Sequence, residues 1–269
     1  MKKSVILFFS LVMAGMVYAQ PKATEGTAVF QKTQQPAALI TVPYPDGVVD
    51  EAIADFMTKK GIKSSSTGGY KVYRNYNLAG NDHNSDLYFK VDRKSRSEKD
   101  LSVVSLMVAK TAEDIKTRKL TDSTGNALAG AKELLDEMAP TFEAYNLELQ
   151  IKDQEAVVKK AQKKYDELVS DQKDGEKKMR NLEDKLAQNK KDQVKQSEAI
   201  KNSINGDDKS MAKAQKRLRS LTDDESDYDK SLKSTMDKIE QSKRDQQRQQ
   251  EEISKQQDIL STLIAKRKG

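Results

Sequence analysis

The chain has 269 residues, of which 36% are apolar, 33% charged and 6% aromatic, with no Trp. That is too little apolar material for one large core, and it suits a small globular unit joined to an extended, solvated helical part. The absence of cysteine excludes disulfides, thiolate metal sites, thiol nucleophiles and thiol redox chemistry.

The formal net charge of +6 has to be located before it is interpreted. Residues 20–146 hold 17 basic and 17 acidic residues, and residues 147–269 hold 29 basic and 25 acidic. The excess therefore belongs to the C-terminal half, where both signs alternate as they do on a solvated helix surface. A nucleic-acid site needs one sign gathered on one face, so no nucleic-acid partner is expected.

In chain order, "MKK" is a basic n-region, "SVILFFSLVMAGMV" an apolar h-region, and "VYA" before Gln20 a small-residue cleavage site. Residues 1–19 thus read as a signal peptide. The apolar run is short for a transmembrane anchor, and no cysteine follows it to carry a lipid. The expectation is an exported protein, periplasmic or extracellular, with no transmembrane segment in the mature chain. Residues 20–35 read as a mature N-terminal tether, with strand character limited to "TAVF".

Residues 36–140 read as a small α+β domain. "PAALITVPY" has strand length. "PDGVVDEAIADFMTKKG" carries a helix start at Asp46 as N-cap, and a stop at Gly61 after Lys59 and Lys60. Strand-like runs follow at 70–78, 86–94 and 101–110. The last is apolar on both faces and so is expected at the centre of the sheet. "ALAGAKELLDEM" is an amphipathic helix expected to end before Pro140. The order strand, helix, three strands, helix predicts one sheet with helices on one face. A ferredoxin-like arrangement is compatible with that order without being required by it.

Residues 141–269 read as a coiled-coil arm, with helices at about 141–205 and 209–266. Tyr145 and Leu149 form a second face suited to docking on the globular unit. Setting Ile151 as heptad position a makes nine of sixteen a and d positions apolar up to Ser203. A second frame starting at Met211 gives ten of sixteen. The frames are offset by four residues, which a continuous rod absorbs as a stutter and a hairpin absorbs as its turn. Folding back at Asp207 sets Ser203 opposite Met211, Ile200 opposite Ala214, Leu182 opposite Leu232 and Ile151 opposite Leu263. Asn205-Gly206 suits a helix C-cap, and Asp207 or Asp208 suits an N-cap, so local chemistry favours the antiparallel hairpin. Gly175 is a second place where the helix could bend.

No catalytic, cofactor-binding or metal residues are expected. "NDHNSD" around the single His83 starts like a Ca²⁺ loop, with Asp82, Asn84 and Asp86 at alternate positions. Leu87 then stands where glycine is needed and Arg93 where the bidentate glutamate is needed, leaving a polar turn. The acids of "TDDESDYD" (222–229) suggest a cation site or a carboxylate pair, but on a helix they point in different directions. "KVDRKSRSEKD" (90–100) reads as a charged hairpin tip, with contact to an anionic envelope surface as its functional alternative. No phosphate-binding glycine loop, zinc motif or nucleophile elbow is present.

The signal peptide, "QQPAALITVPYPDGVVDEAI", "DLYFKVDRKSRSEKD" and the Gln-rich helical tail together resemble a family of exported Bacteroidota proteins. That resemblance brings no activity and no functional residues. The basic, exported design with helical arms also shares features with the periplasmic Skp/OmpH-like holdase chaperones, although here the body lies wholly before the arms. Efflux adaptor hairpins differ in interrupting a lipoyl-type domain. The expectation is a non-enzymatic envelope protein, its arm serving as scaffold, spacer or oligomerisation element through protein partners or self-association. A Skp-like holdase is the alternative.

Overall fold

The computed structural model describes residues 21–78, 84–95, 97–98, 100–109, 126–202 and 208–268. The signal-peptide segment, His83, Gly206 and Asp207 lie outside these residues. The chain divides into two compact units, Met1–Leu149 and Gln150–Gly269.

The first unit contains strands β1 (Thr24–Phe30) and β2 (Thr33–Val42), helix α1 (Asp46–Lys59), and strands β3 (Ser64–Thr67), β4 (Tyr70–Tyr76), β5 (Ser85–Arg93) and β6 (Ser102–Ala109). Helix α2 (Asn126–Asn202) begins in this unit and continues into the second, where α3 (Asp208–Lys268) follows it. The six strands form one sheet in the order β1-β2-β6-β5-β4-β3, and every neighbouring pair is antiparallel. β6 is central, as its two apolar faces require.

The ferredoxin-like option is not the one adopted: among the described residues four strands rather than two run in succession between α1 and α2, and the order β1-β2-β6-β5-β4-β3 is not that of two interleaved β-α-β units. The expected tether is also corrected: Thr24–Phe30 is an edge strand paired with β2 from Thr24↔Leu39 to Phe30↔Thr33. Main-chain pairing and two buried residues, Ala28 and Phe30, outweigh a polar sequence of low strand preference.

One sheet face carries both helices. Val49, Ala52, Ile53 and Met57 of α1 join Leu134, Leu135, Met138 and Phe142 of α2 over Ile40, Leu87, Phe89, Val104 and Leu106. This apolar face of α2 spans Pro140, which explains why the helix does not stop there. Pro140 sits on the exposed side, and the packing of Met138 and Phe142 on either side exceeds the roughly 3 kcal/mol that an interior proline costs. Tyr145, one turn further, packs against the same core and donates a hydrogen bond to Glu51 at 3.1 Å.

The opposite face is concave. Phe30 of β1 meets Tyr88 of β5 and Tyr70 of β4 edge-on, at centroid distances of 5.8 and 5.6 Å. The Tyr70 hydroxyl donates to the Val29 carbonyl at 3.0 Å. In a flat sheet β1 and β4 would stand about 19 Å apart, at about 4.8 Å per strand. The sheet therefore curls, enclosing a second core of Ala28, Phe30, Ala37, Tyr70, Val72, Tyr88, Met107 and Ala109. Gln35 alternates with Ala37 on this face, is 1% exposed, and neither its Oε1 nor its Nε2 has a hydrogen-bond partner.

Asp46 is the first residue of α1 rather than its N-cap, which is Pro45 and supplies no side-chain bond. The C-terminus behaves as the sequence implies. Gly61 has φ +78°, its N–H bonds the Thr58 carbonyl, and the Ile62 N–H bonds the Met57 carbonyl, a Schellman closure.

Tyr73 yields a prediction. Its ring packs edge-on to Phe89, its buried hydroxyl has no partner, and burial, helped by Asp50, pushes its pKa up to about 12. A raised folded-state pKa means this stability is fully present below about pH 10 and is lost as pH rises toward 12. Tyr73→Phe is expected to gain about 1 kcal/mol at neutral pH, because an unmade buried hydroxyl is removed. It should also flatten the alkaline loss of stability, measured by urea melts between pH 7 and 11. A steeper alkaline loss in the variant would contradict this.

Candidate functional site

Asp86 is nearly buried, and its carboxylate accepts the Asn75 N–H at 3.1 Å and Arg74 Nη1 at 3.5 Å. Asn75 has φ +60° and lies where the β4–β5 register shifts, between Tyr73 and Tyr76. Asp86 therefore holds a β-bulge, and Asn84 supports it by donating to Asn75 Oδ1 at 3.0 Å. Asp82 and His83 of the same motif lie outside the described residues.

The charged 90–100 segment turns back on itself. Arg93 Nε donates to Asp46 Oδ1 at 3.0 Å, Lys90 pairs with Asp92 at 2.8 Å, and Ser95 Oγ donates to Glu98 at 2.9 Å. Lys90 and Arg93 are thus engaged with acids of the unit itself, as in a solubilising tip, while Lys94 is exposed. Among the described residues, no three His, Asp or Glu side chains gather in a way that could hold a metal ion. No helix of the described residues is long and apolar enough to cross a membrane.

The second unit is where the structure builds a repeated, specific surface. α2 and α3 pack antiparallel in the register that folding back at Asp207 assigns. Gln193 Nε2 reaches the Leu221 carbonyl at 3.3 Å, and Gln246 Nε2 reaches the Leu168 carbonyl at 3.1 Å. Gly175 lies against Ile239, so close that a Cβ on the glycine would stand 2.9 Å from Ile239 Cγ1. Each is an expected partner pair. The buried residues of α3 are Ala214, Leu221, Thr235, Ile239, Gln249 and Ile253, all at a or d positions of the second frame. Gly175 is not a bend; it is the space into which Ile239 packs.

The polar a and d residues, which weaken the apolar seam, are bonded across it. Gln154 donates to Gln256 Oε1 at 2.7 Å, and Gln249 donates to the Ala161 carbonyl at 3.2 Å. Ser242 Oγ donates to the Leu168 carbonyl at 2.9 Å, and Gln246 also donates to Gln172 Oε1 at 2.7 Å. Nearer the tip, Gln193 Nε2 is shared between Asn189 Oδ1 and Glu225 Oε2, each at 2.7 Å, while Lys190 pairs with Glu225 at 3.6 Å. Side-chain amides reaching opposite-helix carbonyls satisfy buried polar groups and fix the axial position of the two helices. Sequence reading located these residues as breaks in the seam but could not supply their acceptors, which include main-chain carbonyls of the other helix at Ala161, Leu168 and Leu221.

The outside of the arm is mostly charged, with isolated apolar side chains. Val157, Val194, Met236 and Ile259 are 44–59% exposed. Met236 shares a shallow groove with Met179, Arg180, Asp237, Ile239 and Lys243, and Val157 shares another with Ala161, Lys164, Gln249 and Glu252. Such grooves of mixed lining take side chains from another protein more readily than a small ligand. No model of a known protein family matches the chain, and no curated protein matches it either.

Proposed function

We propose that this is a non-enzymatic protein exported to the cell envelope, related to the Bacteroidota family it resembles, in which the helical arm makes protein–protein contacts as a scaffold, spacer or oligomerisation element. The observation that carries this reading is the register-locked hairpin, whose seam is closed by hydrogen bonds while Val157, Val194, Met236 and Ile259 stay exposed along its length. A hairpin built to hold its own register and still present apolar contacts outward is suited to fixed partners.

The test uses photo-crosslinking amino acids at Val194 and Met236 in the exporting cell. Discrete crosslinked species are expected, lost when the hairpin is opened by a bulky residue at Gly175. Their absence at both positions would overturn the reading.

The exposed apolar residues beside charged grooves also favour a second reading, a holdase whose arms enclose unfolded clients. Light scattering of an aggregating outer-membrane protein separates the two. A holdase suppresses scattering at stoichiometric excess, whereas a scaffold leaves it unchanged.

A further inference from the structure

The arm's charges are mixed along its length but sorted at its tip. Residues 190–202 and 208–220 carry nine basic and three acidic residues, a net +6. Lys195, Lys201, Lys213, Lys216, Arg217 and Arg219 are all exposed there. The next stretch back along the two helices, residues 183–189 of α2 and 221–231 of α3, carries seven acidic and two basic residues, a net −5, with Asp223 and Asp224 level with Lys191 and Lys190 in the hairpin register. Asp223, Asp224, Asp227 and Asp229 are exposed in it. The centres of the two belts lie about 10 residues apart along the arm, roughly 15 Å at 1.5 Å per residue. They meet where Lys190 pairs with Glu225.

We propose that the tip is a docking surface for a second copy of the same arm, which lies antiparallel and overlaps only the tip, basic belt on acidic belt. This rests on the reading of the arm as a protein-contact element and names its partner. Charge selects the arrangement. Two arms side by side and parallel set +6 on +6 and −5 on −5. Full antiparallel overlap sets the tip against residues 150–160 and 254–268, which carry seven basic and three acidic residues. Only the short antiparallel overlap brings opposite belts together twice, as a two-fold, self-complementary interface. Val194, 59% exposed, lies between the belt centres, close to that two-fold axis, so the two Val194 side chains come together as its apolar contact.

The experiment uses the full mature chain and two charge-reversed variants, with circular dichroism confirming that both retain the helical arm. One carries Asp223→Lys, Asp227→Lys and Asp229→Lys, and the other carries Lys213→Glu, Lys216→Glu and Arg217→Glu. Sedimentation of the unmodified chain is expected to show a dimer that weakens at least about tenfold between about 0.1 and about 1 M salt, as the screening length falls from about 10 to about 3 Å. Each variant alone is expected to be monomeric, because its altered belt falls to a net +1 or 0 and no longer attracts the intact one. Their equimolar mixture is expected to form a heterodimer through the intact basic belt of one and the intact acidic belt of the other. In the cysteine-free background, Val194→Cys is expected to form an intermolecular disulfide and Val157→Cys is not.

A monomeric unmodified chain, a dimer insensitive to both reversals, or variants that fail to combine would overturn the proposal. So would binding of the chain to phosphatidylglycerol vesicles without self-association, which would assign the tip to a lipid surface. The broader reading would survive any of these if photo-crosslinks at Val194 or Met236 still formed to another protein, and would fail with it if neither did.

Discussion

Gly175→Leu is expected to weaken the arm by about 2–3 kcal/mol, although it places a far better helix former in the middle of α2. Glycine inside a helix costs about 1 kcal/mol relative to alanine, so its presence at a d position needs a reason. The reason is Ile239, 8% exposed, whose Cγ1 would lie 2.9 Å from a Cβ at position 175, well inside ordinary contact. A leucine there separates the helices and strains the adjoining bonds of Gln172 with Gln246 and of Ser242 with the Leu168 carbonyl. Gly175→Ala sets about 1 kcal/mol of helix preference against a smaller displacement of Ile239, so its net effect is expected to be near zero. Urea melts by circular dichroism measure both. Spin labels at 158 and 256, about 10 Å apart in the closed hairpin, are expected to separate in the leucine variant. A leucine variant as stable as the parent would show that the helices do not approach closely at this point.

The second large effect has the opposite sign. Gln35→Leu is expected to stabilise the N-terminal unit by about 2–4 kcal/mol, because both polar atoms of this buried amide are unmade and each costs about 1–3 kcal/mol. Leucine has nearly the same volume and fits among Ala28, Phe30 and Ala37, so no cavity or overpacking offsets the gain. The measurement is the unfolding midpoint followed by tyrosine fluorescence, since the tyrosines described in the core belong to this unit. Destabilisation by the same change would mean that the amide is satisfied inside the curled sheet.

How far the sequence could be read differs between the two units for a physical reason. In the arm every structural decision is periodic: a and d positions recur, and the fold-back that matches two frames fixes each pair, so Gln193 with Leu221 and Leu168 with Gln246 follow from counting. What counting could not show was that Gly175 is a cavity for Ile239, since a glycine looks the same in sequence whether it bends a helix or receives a neighbour. In the N-terminal unit the alternation of β4 and β5 and the continuous apolar run of β6 were legible. β3, "SSST", and the first half of β1, "TEG", were not, because their strand character comes from partners across the sheet rather than from their own residues, whereas "TAVF" was. The continuation of α2 past Pro140 was hidden for the same reason: the opposing force is tertiary, supplied by Met138 and Phe142. The sheet's curl, visible in the Tyr70–Val29 bond, joins residues 41 positions apart and has no local signature.

Ile239 and Gly175 also bear on how the arm carries force. Sliding one helix past the other by a heptad would keep the apolar frame, but it would carry Ile239 from the glycine onto Leu168 or Leu182, where there is no such recess. The pair works as a key in a slot, and the glutamine–carbonyl bonds on either side work as teeth that disengage together. Shear along the axis must lift the key before anything moves, so the pairing of the two helices resists creeping by a turn at a time.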